Sequence, residues 1–284
     1  MKQKRILSVQ DVSCFGKCSN TTALPILSAA GLETVILPTA LLSTHTGGFD
    51  GYTFLDLTGE MEKILAHWEK AGIRFDGLYT GYFGSAAQLS LVGDFAARLL
   101  APDAFRLIDP VMGDGGRLYP IYDAAYVGAM RDFCRGADVV TPNVTEACLL
   151  AGLPYGGEAY DRARLDGILD AIGGLGVRAA VVTGVRFGET EIGVVYRHFG
   201  SGETFTLSSA RTDAALHGTG DVFAAALAGY LMNGFSPRAA LSRTIAYMAA
   251  AIRDTEAALP GHWYGLLFER QLGMITDDVR GAAR

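Results

Sequence analysis

The chain lacks a long apolar run. Its richest stretches, 222–232 and 245–252, have the length of core helices and fall short of the roughly 18 residues that a membrane helix needs. The N-terminus offers only Ile6-Leu7-Ser8-Val9 before Gln10-Asp11, too short for a signal-peptide core. A soluble, cytoplasmic protein with no membrane partner is expected. Basic residues are few: 24 Lys plus Arg stand against 30 Asp plus Glu, the net charge is −6, and no basic cluster is longer than 2–5. That argues against nucleic acid as the main partner. Cysteines number four, and Cys14 and Cys18 form a lone pair with no second pair at ligand spacing. Free buried thiols in a reducing compartment are expected, without zinc or disulfides. Two phosphate-binding signatures are missing as well. No Gly-x4-Gly-Lys-Ser/Thr occurs, so a P-loop is excluded. The Gly218-x-Gly220 pair has Phe223 where a dinucleotide fingerprint needs a third glycine, and it lies far from the first strand. Without linker, repeat or low-complexity tract, one domain over 1–284 is expected.

Half of the 284 residues are apolar, enough for a substantial core. Apolar periodicity predicts strands at 5–10, 34–41, 76–79, 105–108, 138–140 and 179–183. Helices are predicted at 19–30, with Pro25 a misfit unless the helix starts late, and at 57–71, 86–100, 120–135, 143–151 and 162–175. An antiparallel hairpin at 192–199 and 204–207 follows, then helices at 221–232 and 236–253, with 277–284 expected to fray. The alternation implies a three-layer α/β fold: a mainly parallel sheet with helices on both faces, plus the hairpin. In such sheets ligands sit outside the carboxyl ends of the strands. The polar clusters all fall there: Gln10-Asp11, the loop 43–48, Gly81-Tyr82, Asp109 to Asp114, Asn143 to Glu146, and Thr183-Gly184.

The stretch His217-Gly218-Thr219-Gly220-Asp221 opens the helix at 221–232. First-turn N–H groups and the positive end of the helix dipole make such a turn an anion seat, and Asp221 beside it is a possible general base. The same residues also fit a plain tight turn, with Asp221 as a helix cap. Phosphoryl transfer to a hydroxyl needs a metal, donors around the moving group and a base. Asp109, Asp114 and Glu146 are oxygen donors that suit magnesium. Asp109 before Pro110 also reads as turn chemistry, and Glu146 as a first-turn acid. His45 reads as a hydrogen-bonded spectator or as a chemical participant, and Tyr82 as a stacking surface or a cover for the core edge.

Val9-Gln10 with Gly16, His45-Thr46-Gly47, Thr80-Gly81-Tyr82-Phe83-Gly84-Ser85, Asp109-Pro110-Val111-Met112-Gly113-Asp114, Thr141-Pro142-Asn143 with Glu146, Val182-Thr183 and Gly218-Thr219-Gly220-Asp221 together resemble the pyridoxal kinases of the ribokinase superfamily. The match runs in order from residue 5 to about 250. The resemblance implies ATP-dependent phosphorylation of the 5′-hydroxymethyl group of pyridoxal, pyridoxine or pyridoxamine. It makes Asp221 the base and Gly218, Thr219 and Gly220 the anion hole. It assigns Asp109 and Glu146 to Mg2+ through water, and Asp114 and Tyr119 to a loop over the phosphates. Thr141, Asn143 and Thr183 fall on the nucleotide side. His45, Thr46, Gly47 and Tyr82 fall on the vitamer side. It further implies potassium (K+) and a homodimer. Two positions depart from the family pattern. Asp11 stands where a serine is usual, and a carboxylate there predicts a tilt toward pyridoxamine. His217 replaces a small apolar residue and is expected to touch the nucleotide. A kinase of hydroxymethylpyrimidine or another small aromatic alcohol is the neighbouring reading. A silent binding protein is the third, opposed by intact Asp221, Asp109 and Glu146.

Overall fold

The computed structural model describes residues 3–212, 214 and 216–282. In chain order the elements are β1 (Arg5–Phe15), α1 (Asn20–Ala29), β2 (Glu33–Thr44), β3 (Phe54–Asp56), α2 (Thr58–Lys70), β4 (Phe75–Thr80), α3 (Ala86–Leu99), β5 (Leu100–Ile108), β6 (Gly113–Asp114) and β7 (Arg117–Leu118). They continue with α4 (Ala124–Phe133), β8 (Val139–Val140), α5 (Val144–Ala151), α6 (Arg162–Gly173), β9 (Ala179–Arg186), β10 (Glu191–His198), β11 (Thr204–Ala210), α7 (Thr219–Met232), α8 (Pro237–Ala257) and α9 (Leu272–Ala282). Among the described residues no helix is long and apolar enough to cross a membrane. The chain forms two compact units.

The first unit comprises 1–82, 98–104 and 212–284. Here β1 pairs in parallel with both β2 and β4, and β3 lies antiparallel on the outer edge of β2. Ile6, Leu7, Ser8, Val9 and Gln10 are buried in succession, so both faces of β1 are covered, which is why its sequence reads as a continuous run rather than an alternation. The β1–β2 register shifts between Gln10 and Val12, where Asp11 lies; such an irregularity re-aims one side chain. Helix α7 is buried on every side from Val222 to Tyr230 and packs on α1, α8, α9 and β4. A helix apolar all round belongs at the centre of a core. Pro25 lies inside α1 rather than ahead of it. At the sixth helical position it forfeits one N–H bond to the Thr21 carbonyl, and the burial of Ala23, Ile26 and Leu27 against neighbouring elements holds the helix in place.

The second unit comprises 83–97 and 105–211. Its strands β5, β8 and β9 are parallel, and β10 and β11 add antiparallel to β9 in turn, as the expected hairpin. Helix α5 packs on α4, α6 and β9.

Several boundaries differ from the sequence reading. β1 and β2 run on to Phe15 and Thr44, so the loop after β2 starts at His45. Helix α4 begins after Asp123, whose carboxylate accepts from the Tyr126 amide; residues 120–123 are not helical. The two-residue strands β6 and β7 form a hairpin in place of a loop. The tail is helical through Ala282, not frayed: Asp278 pairs with Arg243 and accepts from the Tyr230 hydroxyl at 2.8 Å, and Thr276 donates to the Ala29 carbonyl at 3.0 Å. Residues 283–284 lie outside the described residues. All four cysteines are free; Cys134 and Cys148 are buried, but Cys14 is exposed and Cys18 half-buried, because the end of β1 and the turn after it lie at the surface.

Candidate active site

In the first unit, Gly218 caps α7 in a left-handed conformation, φ 75°. A glycine takes that conformation without strain. Helices α4, α5, α6 and α8 are capped by Asp123, Asn143, Asp161 and Ser236 side chains, whereas α7 has no side-chain cap. The Val222 amide closes the first turn on the Gly218 carbonyl at 3.1 Å, and the amides of Thr219, Gly220 and Asp221 precede it, as first-turn donors with no partner inside the helix. Asp221 is not the helix cap. Its Oδ2 instead accepts from the Ser19 amide, 3.0 Å away and across the unit, and the Tyr79 hydroxyl donates to its carbonyl at 3.4 Å. Burial pushes the Asp221 carboxyl up to about 7; the Ser19 amide opposes that shift and the nearby Asp11 charge adds to it. A base poised near the working pH is what proton abstraction requires.

Asp11 is buried, and its Oδ2 accepts from the Ser13 hydroxyl at 2.9 Å. Burial raises its pKa, against the Ser19 and Ser13 hydroxyls. Half-buried Tyr82 has a phenol raised by burial and by the Asp11 charge. His45 has both ring nitrogens engaged by backbone. The Gly47 amide donates to Nδ1 at 3.1 Å, and Nε2 lies 2.7 Å from the Tyr264 carbonyl. A carbonyl only accepts, so Nε2 carries the proton and the ring is a strut between the loop and the segment after α8. Thr46 beside it is exposed. The His217 ring stands 5.2 Å from the His45 ring and directly over Gly47, where an added Cβ would come within 2.5 Å of Nδ1. His217 therefore faces the His45-Thr46-Gly47 loop. Burial and His45 lower its pKa.

The second unit gathers the other predicted residues. Thr141 donates its hydroxyl to Asp109 Oδ1 at 3.1 Å. Glu146 accepts from the Met112 amide at Oε1, 3.0 Å, and from the Asn143 amide at Oε2, 2.9 Å, while Asn143 Oδ1 accepts from the Glu146 amide. This reciprocal capping box fixes the start of α5. Burial and the neighbouring Asp109 charge hold the Glu146 carboxyl well above its ordinary range. Two buried like charges call for a cation, and Glu146, with both oxygens engaged, would reach one through water. Among the described residues no group of three or more His, Cys, Asp and Glu forms a cage. A pair of neighbouring buried carboxyls suits magnesium, which keeps several waters and takes few carboxylates. Thr183 bridges to Asn143, its amide donating to the Pro142 carbonyl at 2.9 Å. The hairpin β6–β7 carries exposed Asp114 and ends at exposed Tyr119. Asn143 Nδ2 ties its base to α5 through the Gly113 carbonyl at 2.8 Å.

Sequence reasoning missed Ser19, Ser13, Tyr79 and Tyr264. None belongs to a motif, and a serine gives no signal of the backbone conformation that aims its amide.

The family model described as phosphomethylpyrimidine kinase matches residues 24–267. A pyridoxine/pyridoxal/pyridoxamine kinase of Bordetella bronchiseptica is 31% identical over 267 residues, covering 89% of this chain and 90% of that protein. Pyridoxal kinase from Lactobacillus plantarum superposes with a TM-score of 0.90 at 33% identity, covering 99% of each chain. A candidate phosphomethylpyrimidine kinase from Bacteroides thetaiotaomicron, solved with pyridoxal, gives a TM-score of 0.91 at 36% identity over 96% of each chain. These neighbours share the fold class read from the sequence.

Proposed function

The chain belongs to the phosphomethylpyrimidine kinase family, among its pyridoxal kinases, and from that premise we propose that it transfers the γ-phosphoryl group of ATP to the 5′-hydroxymethyl group of a B6 vitamer. The observation that carries the chemistry is Asp221, a carboxyl group raised to about 7 beside the uncapped first turn of α7. Asp221 takes the proton of the acceptor hydroxyl as its oxygen bonds to the γ-phosphorus, the bond from that phosphorus to the β,γ-bridging oxygen breaks, and ADP leaves. First-turn amides around Gly218, Thr219 and Gly220 face the charge that develops on the transferring group.

Asp109 and Glu146 would hold Mg2+ through water; the ion supplies charge neutralisation at the phosphates. Thr141, Asn143 and Thr183, with Asp114 and Tyr119 on the β6–β7 hairpin, serve the nucleotide. Thr46, Gly47 and Tyr82 serve the vitamer, with His45 bracing the loop that carries Thr46 and Gly47. His217, whose ring lies over Gly47, joins that group beside its expected contact with the nucleotide. Following the family resemblance, we also infer K+ dependence, a homodimer and a cytoplasmic setting.

The test is magnesium-ATP turnover with pyridoxal, pyridoxine, pyridoxamine and hydroxymethylpyrimidine side by side, in potassium and in sodium, with sedimentation reading the assembly. Turnover of the B6 vitamers, faster in potassium, is expected. Turnover of the pyrimidine alone would keep the mechanism and overturn the substrate.

A further inference from the structure

Ser19 has φ 52° and ψ −125°, and among the described residues it is the only non-glycine with positive φ. L residues avoid that region, and such conformations persist where surrounding structure enforces them, often at functional sites. The enforcement is visible. Ser19 is buried, Val12 and Ser19 form an isolated bridge to β1, and the Ser19 carbonyl accepts from the Ala23 amide at 2.8 Å. Its hydroxyl does not cap α1, although it directly precedes the helix. It acts on Asp11 instead, lowering that carboxyl's pKa, while Asp11 Oδ2 takes the Ser13 hydroxyl at 2.9 Å. The amide of the same residue donates to Asp221 Oδ2 at 3.0 Å. A glycine would hold this backbone without strain but could not reach Asp11.

We propose that Ser19 is a positioning residue for Asp221, its amide aiming the carboxylate and its hydroxyl anchoring that amide on Asp11, so that Asp11 acts on the reaction through Ser19 rather than by meeting the acceptor. This rests on Asp221 as the base. The titratable groups that face Asp221 are Asp11 on β1 and the Cys18 thiol ahead of α1; Tyr79 on β4 reaches only its carbonyl, and His45 acts on Asp11. Of the influences on the Asp221 carboxyl, the Ser19 amide lowers its pKa more than the Asp11 charge raises it.

The test compares wild type with Ser19→Gly, Ser19→Ala and Asp11→Asn, reading kcat and KM for pyridoxal and ATP against pH. It adds the Asp221 titration by 13C NMR of aspartate-labelled protein, which needs no turnover. Ser19→Gly should melt no lower than wild type yet lose about tenfold or more in kcat, since misplacement of a reacting group by about 1 Å can cost 10²-fold. KM for ATP should hold, and the acid-limb midpoint should rise. Ser19→Ala should lose kcat similarly. Asp11→Asn should move the midpoint down. Wild-type kcat and midpoint in Ser19→Gly would reduce Ser19 to a structural turn and overturn the proposal. So would an Asp11→Asn variant that changes vitamer preference with the midpoint unmoved. If wild type turns over no vitamer, the proposed function fails, and the NMR midpoints still decide the positioning claim.

Discussion

Burial of Asp221 costs stability once its carboxyl ionises. Its folded-state pKa, about 7 against an ordinary 3.8, means that the native protein binds this proton more tightly than the unfolded chain does. The ionised carboxylate therefore costs stability in full above about pH 7; the cost fades as pH falls from 7 towards 4 and vanishes below the unfolded value. At most it is about 4 kcal/mol. Asp221→Asn should accordingly melt higher than wild type at pH 8, with the difference closing by pH 4; a variant that melts lower at pH 8 would show that the charge is not strained. At this scale the sequence shows chemistry where the residue type carries it. Asp221, Asp109 and Glu146 were readable as candidates because each is an acid beside a turn or on a first helical turn. Ser19 was not, since its part depends on a backbone torsion. His45 was read only by type, and its tautomer emerged from the two backbone groups that fix it.

Elements are best predicted where their ends are marked. Helix α5 starts after Asn143, whose side chain caps it, and stops before Gly152 in a left-handed conformation, residue types that mark helix ends. The strands β6 and β7 escaped notice because two residues carry no periodicity, and the helicity of α9 depends on Arg243 and Tyr230, far away in sequence. Asn143 links two elements, capping α5 and holding the Gly113 carbonyl of the hairpin. Loss of the cap alone is worth about 1 kcal/mol. Asn143→Ala should therefore lower Tm by about 2–4 °C and raise KM for ATP several-fold, leaving KM for pyridoxal near wild type. An unchanged ATP KM would restrict Asn143 to capping.

At the scale of the whole chain, alternating strands and helices specified parallel strands with an antiparallel hairpin, since short connections and buried β runs leave few other solutions. What alternation cannot convey is the grouping of charges: Asp11, Ser19 and Asp221, spread over more than 200 residues, share one cluster in the first unit, while Asp109, Thr141 and Glu146 share another in the second. Sequence distance hides such couplings, and only packing reveals them. The most direct measurement is 31P-detected formation of a phosphate monoester from pyridoxal and magnesium-ATP by wild type and Asp221→Asn at pH 8. Steady product with wild type and a rate lower by about 10² or more in the variant is the expected result. Equal rates in the two proteins would contradict the role of Asp221, and no monoester from wild type with any B6 vitamer would contradict the function itself.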